Sequence, residues 1–135
     1  MSQSEAMLAR EWVKNLTRQV SERVERIKIT NIHGDAFQET VSDYICCYKG
    51  RFIAIEFKIH PNTCTDRQMN FLVDVLESGG VAMIVEFHKR PAIAVKDPQA
   101  RFGYNQDGYF YYGQELASII KAMNETKDLI YKFVF

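Results

Sequence analysis

Asp43, Glu56 and Lys58 have the types and spacing suited to holding a divalent cation beside an ammonium group. Ser42 to Tyr48 and Arg51 to Ile59 are rich in β-forming residues, and Lys49-Gly50 joins them. A two-residue connection with glycine reads as a β-hairpin. With Tyr48 paired to Arg51, Cys47 faces Phe52, Ile45 faces Ala54, and Asp43 faces Glu56. Directly opposed residues stand about 5 Å apart at Cβ, where like charges are destabilising. Two carboxylates so placed call for a counter-charge, and hard oxygen ligands suit Mg²⁺. Lys58 lies two residues past Glu56 and projects from the same face. Its ammonium would orient or help activate a water, or stabilise charge developing on a phosphorane. Such a centre suits attack by water on a phosphodiester.

Glu-x-Lys alone is a common triplet, and it recurs at Glu125-Thr126-Lys127 without special meaning. The context of the first copy sets it apart. Phe52 to Ile59 is apolar on both faces until it reaches Glu56 and Lys58, which marks an interior strand. An acid and a base without a purpose are costly there.

The elements that must position these residues are legible from periodicity. Leu8, Ala9, Trp12, Val13, Leu16, Val20 and Val24 recur at helical spacing and predict a helix from about residue 4 to the low twenties, with Ser4 as N-cap. Ile27, Ile29 and Ile32 suggest a short strand, and 31–40 reads as a loop. Thr65-Asp66-Arg67-Gln68 has the form of a capping box. The helix it opens carries Met69, Leu72, Val73 and Leu76 on one stripe and ends at Ser78-Gly79-Gly80. Val81 to Phe87, apolar but for Glu86, predicts a buried strand, and Ala92 to Val95 another. In the last third, Tyr109 to Tyr112 predicts a strand and Gln114 to Met123 a helix. Leu129 to Phe135 fits a final strand or a helix end. Helices and strands in this order predict an α/β fold with a mixed sheet and helices packed on it.

Val41-Ser42-Asp43-Tyr44, Ile55-Glu56-Phe57-Lys58 and Thr65-Asp66-Arg67-Gln68 together resemble the core of the PD-(D/E)XK nucleases. Within that superfamily the motifs look like those of the VRR-NUC nucleases and the small Holliday-junction resolvases. Ser42 departs from the proline the family usually places before the aspartate. The resemblance covers roughly residues 4–87 and leaves 88–135 as an elaboration of a single domain, 1–135. It implies a restriction-endonuclease-like core with a mixed central β-sheet flanked by helices. It further implies that Asp43, Glu56 and the backbone carbonyl of Phe57 bind metal, and that Lys58 serves catalysis. Gln68 would lie beside the metal, touching the scissile phosphate or a water. Mg²⁺ is the expected cofactor, with Mn²⁺ substituting. The expected substrate is DNA, branched in the case of resolvase-like members, which usually act as homodimers because two symmetric cuts need two centres.

The family often adds an acid from the first helix, for which Glu5 and Glu11 are candidates. At about 100° per residue, Glu5 falls on the arc of Leu8, Trp12 and Leu16 and Glu11 well outside it, so geometry prefers Glu5 as the added metal-site acid. Spacing to Asp43 favours Glu11 by family habit. Glu5 also suits the first turn of a helix electrostatically.

Composition limits the alternatives. The 135 residues are 47% hydrophobic and 13% aromatic, enough for one packed domain. No apolar run reaches the length of a membrane span, and the polar start lacks the pattern of a signal peptide, so a cytoplasmic location is expected. The formal net charge of zero argues against binding nucleic acid through bulk charge alone. Cys46, Cys47 and Cys64 form no metal-binding pattern, and Cys46 and Cys47 should face opposite ways. His60 reads as a loop residue. Tyr104, Tyr109, Tyr111 and Tyr112 would build sheet core or a dimer interface, or stack on unpaired bases. The rival function is a non-catalytic or partner-dependent nucleic-acid-binding subunit that keeps the nuclease fold.

Overall fold

The computed structural model describes residues 3–32, 43–90, 102–105, 108–113, 116–125 and 130–135, with backbone alone at 3, 102–105 and 108–113. Helix α1 (Gln3–Glu22) buries Ala9, Trp12, Leu16 and Val20. The expected stripe was too wide: Leu8 is 42% exposed and Val24 95%. Val24 lies past the helix end at φ 59°. There the Val24 N–H donates to Ser21 O and the Glu25 N–H to Val20 O. This is a Schellman closure with valine in the place glycine usually takes.

Strands β1 (Ile27–Asn31), β2 (Tyr44–Tyr48) and β3 (Arg51–Ile59) form an antiparallel meander. Lys49 and Gly50 both have positive φ, 52° and 76°, as a two-residue turn of type I′ requires. The register is the expected one, with Tyr48 opposite Arg51, Cys47 opposite Phe52 and Ile45 opposite Ala54. Cys46 is buried and Cys47 exposed, on opposite faces as alternation demands.

Helix α2 (Asp66–Glu77) opens with the expected capping box of Thr65 and Gln68. Its end is a second Schellman closure, in which Gly79 at φ 90° donates to Leu76 O and Gly80 donates to Val75 O. The centre of its buried face is Leu72 and Val75. Val75 was not on the predicted stripe, whose Met69, Val73 and Leu76 are only partly buried around that centre. The chain then enters β4 (Val81–Phe87), parallel to β3.

The last third adds β5 (Phe102–Asn105), β6 (Gly108–Gly113), helix α3 (Leu116–Asn124) and β7 (Ile130–Val134). The seven strands form one mixed sheet in the order β1-β2-β3-β4-β7-β6-β5. The final segment is therefore a strand, inserted between β4 and β6 and parallel to both. The α/β architecture with helices flanking a mixed sheet matches expectation. The strand expected at 92–95 and most of the loop at 31–40 lie outside the described residues, as do the side chains of Tyr104, Tyr109, Tyr111 and Tyr112. Among the described residues, no helix is long and apolar enough to cross a membrane.

Alternation along the strands gives the sheet two different faces. Ile53, Ile55, Phe57, Met83, Val85 and Phe133 pack with the buried residues of α1 and α3. Ala54, Ala82, Ile84 and Ile130 pack under Leu72 and Val75 of α2. Each large apolar side chain fully buried in these layers is worth about 1.5–3 kcal/mol. Glu56 and Lys58 share the parity of Ala54, so they emerge on the α2 face, where β3 runs out from under that helix.

Candidate active site

Asp43 lies one step beyond the paired part of β2. Continuing the ladder past Tyr44 opposite Ile55 brings it to Glu56, and the side chains confirm the juxtaposition. The Asp43 backbone N–H donates to Glu56 Oε2 at 3.2 Å, and the Phe57 N–H donates to Asp43 Oδ2 at 3.1 Å. Each acid is thus tied to the other's strand. Both are buried, Asp43 at 5% exposure and Glu56 at 1%.

The strand beneath them is held from the opposite face. The Phe57 ring points into the α1 layer and meets Trp12, Tyr44 and Phe87 at centroid distances of 5.3, 5.1 and 5.8 Å. Two of these contacts are edge-on and one stacked, the arrangements aromatic pairs favour. Phe57 lies between Glu56 and Lys58, so this cluster anchors the backbone from which both project. In an extended strand the N–H and C=O of one residue point to the same edge. The Phe57 carbonyl therefore shares the edge on which its N–H meets Asp43.

Two further groups converge on Glu56 Oε1. Gln68 Nε2 donates to it at 2.9 Å, and Lys58 Nζ stands 3.8 Å away. Gln68 Oε1 simultaneously accepts from the Thr65 N–H at 2.9 Å. Gln68 closes the capping box and bonds Glu56 at once, because an amide has an acceptor at one atom and a donor at the other. The capping box thereby aims the amide N–H at the carboxylate.

Of the two helix acids, Glu5 reaches the neighbourhood. It is 6% exposed, and its Oε2 accepts from the Ile59 N–H at 3.0 Å, one peptide beyond Lys58. Glu11 is exposed and lines a groove with Arg10, Lys14 and Tyr44 on the α1 side of the sheet. Geometry thus associates Glu5 with the strand end and leaves Glu11 apart.

The electrostatics follow from burial. Burial first, and the charge of Asp43 second, push the Glu56 carboxyl up from 4.5 to about 9, against an opposing pull from Lys58. An acid so disposed gains most from a cation. Among the described residues, no group of three or more His, Cys, Asp or Glu side chains is arranged to hold a metal. A carboxylate pair nonetheless fits Mg²⁺, which keeps several waters and is commonly bound through one or two carboxylates. Asp43 and Glu56 would be its side-chain ligands, with the Phe57 carbonyl on the adjoining edge.

Sequence reasoning missed a second polar group on this face. Glu86 bonds Lys132 Nζ at 2.9 Å and His88 Nε2 at 3.2 Å. The available signal was a lone charge at the inward parity of each of two apolar runs, Val81 to Phe87 and Ile130 to Val134. His60, read as a loop residue, stacks on His88 with ring centroids 4.3 Å apart. No family model matches the chain, and no curated protein sequence matches it.

Proposed function

We propose that the chain is a Mg²⁺-dependent deoxyribonuclease with a restriction-endonuclease-like core of the PD-(D/E)XK type. The carrying observation is the opposed pair Asp43 and Glu56, buried and cross-tied by backbone N–H groups, with Lys58 and Gln68 on one Glu56 oxygen. The resemblance in sequence and the mixed sheet flanked by helices support the same reading. Bound to the pair, Mg²⁺ would polarise a phosphoryl oxygen and supply a more acidic water. Lys58 holds its ammonium where it can orient the attacking water or meet charge forming on the phosphorus oxygens. Gln68, braced by Thr65, keeps an N–H on Glu56 and offers a donor to water or phosphate. Glu5 fixes the peptide after Lys58 and so positions that side chain.

The proposed substrate is DNA, with branched DNA cut by a homodimer as the resolvase-like form of the activity. The test is cleavage of end-labelled four-way junction, flap, single-stranded and linear duplex DNA with Mg²⁺, Mn²⁺ or chelator. Metal-dependent cutting that falls by about 10²-fold or more in both Asp43→Asn and Lys58→Ala is expected. Symmetric junction cuts would add the resolvase assignment. Absence of cutting on every substrate with either metal refutes a stand-alone nuclease and favours a binding or partner-dependent subunit.

A further inference from the structure

The second polar group lies beside the carboxylate pair on the same sheet face, and the proposed hydrolysis does not use it. Glu86 is the register partner of Lys58 across the parallel β3–β4 ladder and is 7% exposed. Its two oxygens hold Lys132 and His88 separately. The side chains of Lys58, His88 and Lys132 are only 14, 11 and 22% exposed. Lys58 and Glu86 stand side by side across that ladder, so the two groups form one continuous patch.

A buried ion pair is a poor source of stability, since its desolvation offsets its attraction. Position gives this one a better rationale. Neighbouring strands stand about 4.8 Å apart, so Lys132 on β7 lies roughly 10 Å across the sheet from the strand of Glu56. Consecutive backbone phosphates stand closer together than this, and the flexible stem of a lysine spans the difference. A divalent cation on Asp43 and Glu56, taken with Lys58 and Lys132, outweighs the three carboxylates. The loaded patch then carries net positive charge and favours a polyanion. Lysine serves as a point-charge phosphate binder, and with His88 Nε2–H on Glu86 the protonated ring offers its Nδ1–H as a second donor.

We propose that Lys132 and His88, held in place by Glu86, form a binding station for a backbone phosphate next to the one presented to Asp43 and Glu56. The station rests on the nuclease reading for its ligand, and it locates the path of the substrate on a chain of zero net charge. The strand passes from the carboxylate pair over Lys58 towards β7.

The test is fluorescence anisotropy of end-labelled single-stranded DNA at low salt with Ca²⁺ in place of Mg²⁺, so that the carboxylate pair is loaded by a hard cation that is the weaker Lewis acid. The Glu86→Gln/Lys132→Gln double variant removes the pair together, leaving no unpaired buried charge and the same net charge. Its fold is verified by circular dichroism and its melting curve. We expect its affinity to fall about five- to ten-fold and its salt slope to lessen by about 0.7, the loss of one phosphate contact on a single strand. Lys28→Gln, on exposed β1, should stay within about two-fold of wild type by the same reasoning. Equal affinity in wild type and double variant, an equal loss in Lys28→Gln, or no binding by wild type overturns the station. Cutting with Mg²⁺ is scored separately. Cutting with unchanged affinity leaves the nuclease and removes the station; the reverse pattern removes the nuclease and leaves the station.

Discussion

Glu56→Gln separates the electrostatic cost of the Glu56 carboxylate from its packing. In the native protein without metal this carboxyl is pushed up to about 9, against 4.5 for the ordinary group. Between those values the folded state holds a proton that the unfolded state releases. Stability therefore falls as pH rises through the window, with no penalty below the unfolded value and the full penalty above the folded one. Each pH unit inside the window is worth at most about 1.4 kcal/mol. From pH 6 to pH 8 the ceiling is about 3 kcal/mol, and relaxation of a coupled, buried pair reduces it to about 1–3 kcal/mol. For a domain of this size, about 3–4 °C of Tm corresponds to each kcal/mol. Wild type in chelator should thus lose about 3–12 °C more than Glu56→Gln between those pH values. The assay is thermal unfolding by circular dichroism of both proteins in matched buffers. The difference in slope is the readout, because a glutamine facing Gln68 and the Asp43 N–H changes absolute stability by its own hydrogen bonding. Millimolar Mg²⁺ or Mn²⁺ should flatten the wild-type slope and leave that of Glu56→Gln unchanged. Identical pH slopes for the two proteins in chelator would refute the account of the buried pair.

Other expectations concern the frame. Val24→Gly should raise stability by about 0.5–1 kcal/mol, because a β-branched residue at positive φ is relieved and only part of the gain is lost to glycine's chain entropy; urea unfolding measures it. Gly80→Ala should destabilise by about 1–3 kcal/mol, since its Cβ would stand 2.8 Å from Val75 Cγ1 and 2.9 Å from the Phe52 carbonyl oxygen; the same titration tests it. Alkylation by iodoacetamide near pH 8 should modify Cys47 alone in the native protein and all three thiols in denaturant. Cys47 is exposed, whereas burial pushes Cys46 and Cys64 up to about 12; mass spectrometry counts the adducts.

The short-range grammar of the chain determined much of this molecule. The Lys49-Gly50 turn sets the β2–β3 register, because a two-residue connection leaves one way to close the ladder. That register alone carries Asp43 to Glu56, and alternation adds Lys58 to the same face. Thr65 and Gln68 announce the start of α2 through a local capping box, and Gly79-Gly80 its end. Tertiary structure decided what depends on residues far apart in sequence. Helical periodicity placed Leu8 and Val24 with the core, yet only packing against the sheet selects how wide a stripe is covered. Helical geometry already preferred Glu5 to Glu11, but its meeting with the Ile59 N–H depended on which turn of α1 reaches the end of β3. The lone charges Glu86 and Lys132 stood out in their apolar runs, but their meeting with His88 was not legible because β7, the last strand in sequence, inserts beside β4. Strand order in a mixed sheet is set by which faces and edges can be covered together, and no local propensity encodes it.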